Sequence, residues 1–408
     1  MNTIHPVLRS PAAAWLAVAL SLSPLSARAA FVAHEWGTFT SVQGSDGQLL
    51  EGLQHAEEPL PPFVYGRDTG GNPTAAVREP IPGHTKRMEL PMKSGTLLAV
   101  NQKLETPVIY FYSDKAMKAS VDVRFPGGVV SEWFPNASTF SPAIGEMTNL
   151  ANGRMSWNVD IHTGERPLPP VSPNDIWAPS RNVRANTVSV GAENEKFIFY
   201  RGLGRFEVPI RVQAKNDELR IANPSAEAIP ASFLVRYDGK QGSVRALGAV
   251  AAGTTRTVPQ VMSTSRFLGS EEYLAEVSRL LEVALVNSGL YGDEAKAMVD
   301  TWTKSYFLTP GTRVLYIVPR AWTDRILPLR IQPQPQSLVR TLVGRVEILS
   351  AEEEASLTRE VAASNALTAH SLVGRLGRFA EPKLLRVKQL TTEPSLRAKT
   401  DRLLRQLQ

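Results

Sequence analysis

Early in the chain, residues capable of acid–base chemistry stand side by side. The segment Phe31-Val32-Ala33-His34-Glu35-Trp36-Gly37-Thr38-Phe39-Thr40 puts an imidazole, a carboxylate and an indole at three successive positions. In an extended segment His34 and Trp36 share one face and Glu35 points to the other. His34 and Glu35 are candidate catalytic groups, one of them as base or ligand, and Glu105 is a third. The spacing is not His-Glu-x-x-His, so no zinc-protease inference follows. The plainer reading is a first strand whose Trp36 and Phe39 fill the core while His34 and Glu35 make structural hydrogen bonds.

Glycosidase chemistry needs two carboxylates at a set separation on either side of a bond. Glu35, Glu105 and Glu132 all lie at or near strand-like segments, and Glu35 and Glu132 each precede a tryptophan that could stack on a sugar ring. A metal site needs three or four converging ligands. His34, His55 and His84 are the candidate set, with His55 and His84 flanking a proline-rich stretch that could fold back over the first strand. No His-x-His or His-x3-His spacing supports it. His162 stands alone and His370 lies in a helical tail, so a divalent metal is the one cofactor left open; the default is none. Tyr200-Arg201-Gly202-Leu203-Gly204-Arg205 ends a strand in a double-glycine bend. A guanidinium held there could grip a carboxylate or phosphate, so Trp36, Tyr200 and Arg201 are candidate ligand-binding residues. The alternative is a tight bend with locally paired arginines, and without a βαβ context a nucleotide loop is excluded. There is no Gly-x-Ser-x-Gly elbow and no cysteine, which removes thiol nucleophiles, disulfides and Cys-ligated metals.

The elements that must position these groups are mostly strands. Runs rich in β-branched and aromatic residues at Trp36–Gln43, Val108–Ser113, Ser120–Phe125, Val129–Phe134, Arg154–Ile161 and Phe197–Arg201 predict strands, and Pro126-Gly127-Gly128 predicts a hairpin between two of them. The pattern predicts an α+β, predominantly β fold, with β-sandwich-like regions, an inserted helical hairpin and a helical C-terminal tail. The divisions are a β-rich region 30–207 with a proline-rich loop 56–91, a β-sandwich-like module 208–268, a helical hairpin 269–309, returning strands 310–350 and a basic helical tail 351–408. Pro328, Pro333 and Pro335 keep the chain between the last strands out of any sheet centre. Ser350-Ala351-Glu352-Glu353 is a capping box.

Residues 1–29 read as a cleavable signal peptide. Arg9 precedes an apolar run from Ala12 to about Leu25, and Ala27-Arg28-Ala29 has small residues where a signal peptidase needs them. Ser21, Ser23, Pro24 and Ser26 break the run too early for a spanning helix, so no transmembrane segment is expected after cleavage near Ala29, and the compartment is periplasmic or secreted. The charge of +6 is local, since residues 371–408 hold nine Lys/Arg and three Asp/Glu. That tail could touch an anionic surface, and the body has no basic bias to bind nucleic acid.

The strings Ala33-His34-Glu35-Trp36-Gly37-Thr38-Phe39-Thr40, Leu104-Glu105-Thr106-Pro107-Val108-Ile109-Tyr110-Phe111-Tyr112, Phe197-Ile198-Phe199-Tyr200-Arg201-Gly202 and Val343-Gly344-Arg345-Val346-Glu347 resemble a group of uncharacterised exported bacterial proteins. The resemblance implies export and the unity of residues 31–350; it carries no activity, substrate or catalytic residue. Two functions are expected: an envelope binding or scaffold protein for an envelope or extracellular ligand, or a hydrolase or lyase acting on an extracytoplasmic polymer through His34 and Glu35.

Overall fold

A computed structural model describes residues 30–56, 58–73, 86–87, 99–260 and 267–407. Residues 1–29, expected to be a signal peptide, and nearly half of the proline-rich loop, with His84, lie outside the described residues. The fold is mixed α+β, with more strand than helix, several sheets and a helical C-terminal region.

Two long strands form the spine of an eleven-stranded sheet. Phe31–Gln43 runs parallel to Ser337–Ile348, from Val32 opposite Ser337 to Gln43 opposite Ile348. Both are apolar or buried on both faces, as a strand in the middle of a covered sheet must be. Beyond Ser337–Ile348 lie Gly311–Ile317, Ser232–Tyr237 and Gln241–Ala246; beyond the first strand lie Val108–Ser113, Gln102–Leu104, Ile198–Gly204 and Gly128–Phe134.

Each face of this sheet is covered differently. On one face Phe31, Ala33 and Phe39 meet Val121, Val123, Met155, Trp157 and Ile161 from a six-stranded sheet built on Met117–Phe125 and Gly153–His162. On the other, Trp36, Phe233, Leu315 and Val343 pack against the helical hairpin, Ser270–Asn287 and Gly292–Trp302, through Tyr273, Val277, Leu281, Met298 and Trp302. The hairpin closes at Gly289, whose φ of +107° is open to glycine and strained for other residues.

Two expectations are corrected. Pro126-Gly127 does not close a hairpin: Met117–Phe125 pairs within the six-stranded sheet and Gly128–Phe134 within the large one. The burial patterns give the reason, since the first alternates exposed and buried residues while the second is buried throughout. The region 208–268 is not a module of its own either. Arg211–Lys215, Glu218–Ala222 and Thr255–Pro259 form a three-stranded sheet, whereas Ser232–Tyr237 and Gln241–Ala246 belong to the large sheet beneath it. Its sandwich is real, but the second layer is the end of the main sheet.

The tail forms four helices, Ala351–Ala363, Ala366–Leu376, Ala380–Leu390 and Pro394–Arg405, around a core that includes Leu357, Val361, Leu384 and Leu403. Ser350 and Glu353 make the expected capping box.

Candidate functional site

The period of two in the first strand sends neighbouring residues into different chemistry. Glu35 enters the space between the two large sheets, where its Oε1 accepts from the Tyr200 hydroxyl at 2.5 Å and its Oε2 from Arg340 Nε at 2.6 Å. Arg340 also donates to Asp324 at 2.8 Å and to the Leu327 carbonyl at 2.7 Å. Burial pushes the Tyr200 hydroxyl well above its ordinary value, and the Glu35 charge adds to that. Burial alone would lower the Arg340 guanidinium, but Glu35, Tyr200 and Asp324 together outweigh it and raise it. This is a sealed structural ion pair.

His34 faces the helices instead. Its Nδ1 lies 2.8 Å from Glu294 Oε2, and Glu294 also accepts from the Tyr112 hydroxyl at 2.8 Å and the Tyr291 amide at 2.7 Å. Gly37 follows because a Cβ there would sit 2.8 Å from the Pro107 Cα. The shared His34–Glu35 site expected from the sequence therefore does not form. Trp36 and Tyr200, expected to contact ligand, expose nothing to solvent.

Glu105 and Arg201 do come together, with a residue from the far end of the chain. Arg378 donates to Glu105 Oε1 at 2.8 Å and to Thr40 Oγ1 at 2.9 Å, while Arg201 Nε donates to the Glu105 carbonyl at 2.5 Å. Glu132 lies 3.7 Å from Arg201. Burial would raise the Glu105 carboxyl, but Arg378, Lys103 and Arg201 overcome it and hold it low. A π-helical turn, Thr303–Phe307, brings Ser305 and Tyr306 to the same place. The pocket among them measures about 20 Å³, room for one water-sized group.

The larger concavity is a polar cleft of about 680 Å³ above the His34 end of the first strand. Its walls come from the start of the first strand at Ala30 and Val32, the ends of Val108–Ser113 and Gly153–His162 with the residues that follow them, the segment 181–187, Lys196, and Tyr291 at the start of the second hairpin helix. Tyr112 and Tyr291 form one wall; the Tyr291 ring lies tilted against the His34 ring at 4.5 Å and edge-to-face with Tyr112 at 5.0 Å. His162, another lining group, receives a hydrogen bond from Arg166 and bonds Ser189 at 2.7 Å. Burial and then the Arg166 charge lower its pKa, so it is neutral at neutral pH.

His55 bonds Glu381 of the tail at 3.0 Å rather than joining His34. Among the described residues, no three or more His, Asp or Glu side chains are arranged to hold a metal ion. Glu294, Arg340, Arg378 and the cleft residues were not read from the sequence. Tyr291-Gly292-Asp293-Glu294 has the form of a helix start, and nothing local separates a capping carboxylate from one that reaches a strand. Arg345 and Glu347 did carry a signal, because alternation puts both on one strand face, where they pair at 2.8 Å.

No family model and no curated protein matches the chain. Among solved structures it is similar to the yeast delta-COP-I mu-homology domain complexed with a Dsl1 WxWxV peptide. The two are 5% identical over 78% of this chain and 96% of that one, with a TM-score of 0.25. A likeness at this level carries no argument about function.

Proposed function

We propose that this is an exported binding protein of the bacterial envelope whose ligand occupies the cleft beside Tyr112 and Tyr291. The observation that carries the reading is the cleft itself: about 680 Å³, open and lined by residues from several elements, within the size range of small-molecule sites. A hydrolase or lyase is less well supported. Its carboxylates would have to reach a substrate, yet Glu35 is sealed by Arg340, and Glu105 borders a space for a single water-sized group.

Gly164 offers a clean test. It lines the cleft, and a Cβ there would meet nothing within 4 Å, so Gly164→Trp should set a bulky ring at the cleft and obstruct it without disturbing the fold. Melting curves with amino acids, organic acids, nucleotides, phosphate and saccharides should show at least one class that stabilises the wild type and not the variant. If every stabilising compound acts equally on both proteins, the cleft is not the binding site. Export is tested separately: the intact mass of protein recovered from the periplasm or medium should correspond to a chain starting at Ala30.

A further inference from the structure

We infer that the cleft takes a neutral polyhydroxylated ligand, such as the end of a saccharide chain; this rests on the cleft being the binding site. The first ground is how its charges are arranged. Arg181 is bound to Glu195 at 2.6 Å, Lys196 to Glu165 at 2.7 Å and Arg184 to Asp293 at 3.2 Å. An anionic ligand would have to draw a cation away from a carboxylate that already holds it, and a cationic ligand the reverse at every lining carboxylate except Asp114, which is exposed and in no ion pair among the described residues. A hydroxyl needs neither. It donates to the spare lone pairs of a carboxylate and accepts from the remaining N–H groups of a guanidinium or ammonium, so neighbouring hydroxyls can bridge an intact pair.

The second ground is Tyr291. Its side chain is 45% exposed, yet its ring is fixed against His34 and Tyr112. A held aromatic face loses little freedom on binding and suits the C–H face of a pyranose.

Titration calorimetry would use neutral di- and trisaccharides, the corresponding uronic acids and inorganic phosphate as probes. A neutral saccharide should bind with an affinity that barely changes with salt. Tyr291→Ala should weaken it about tenfold, and Tyr291→Phe should retain it. The unliganded melting temperature of each variant should confirm the fold. If only phosphate or uronates bind, with steep salt dependence and sensitivity to Gly164→Trp, the saccharide inference falls and the binding cleft stands. If a saccharide binds and no cleft variant changes its affinity, the cleft reading falls too. Failure of every probe to bind overturns the saccharide inference.

Discussion

Lys103 is a buried cation whose ammonium donates to the His55 carbonyl at 3.0 Å. Burial pushes its pKa down to about 8 from 10.5, against the partial support of Glu105. Between those values the unfolded chain binds a proton that the folded chain does not, so this residue makes stability rise with pH across the window. The full effect is roughly 3 kcal/mol. Buried tyrosines such as Tyr306, raised to about 12 chiefly by burial, act oppositely above pH 10. The readout is therefore the difference between wild type and Lys103→Met in urea unfolding at pH 8 and pH 9.5. The wild type should gain on the variant as pH rises, and a constant difference would refute the assignment. Glu35 makes a second residue-scale prediction. Glu35→Ala leaves Arg340 buried beside an empty space and should cost about 3–5 kcal/mol in urea unfolding.

At the scale of elements, strands and helices followed local pattern, but strand partners did not. The alternation in Met117–Phe125 and the buried run of Gly128–Phe134 are both visible in the sequence. The turn between them favoured a hairpin, and the competing pairings with Gly153–His162 and Ile198–Gly204 are set by residues far along the chain. Glycine in a central strand is similarly opaque until its neighbour is known. A Cβ at Gly344 would lie 2.2 Å from Tyr316 Cζ, inside the ring that crosses it from the paired strand. Gly344→Ala should lower the urea midpoint by an amount equivalent to about 1–3 kcal/mol or more, the cost of overpacking a core.

At the scale of the molecule, the helical tail is tied to the sheets by its own arginines. Arg378 reaches Glu105 and Thr40, and Arg386 reaches Glu354 and Asp46 at 2.7 and 2.9 Å. The basic tail thus spends some of its charge inside the protein. Removing residues 351–408 should destabilise the remainder by several kcal/mol, since Glu105 loses its closest buried partner. Unfolding of the truncated protein by urea measures this. An unchanged midpoint would show that the tail is an independent unit.

The sequence by itself determined the composition of the elements, the opposite facing of His34 and Glu35, the capped start of the tail and the preponderance of strand. These depend on periods of two and 3.6 and on local capping, all contained within a few residues. Only the tertiary structure decided what each buried charge meets. His34 meets Glu294, Glu35 meets Arg340 and Glu105 meets Arg378, at separations of 260, 305 and 273 residues. It also decided where the chain leaves a concavity, because elements that no local pattern joins build the walls of the cleft.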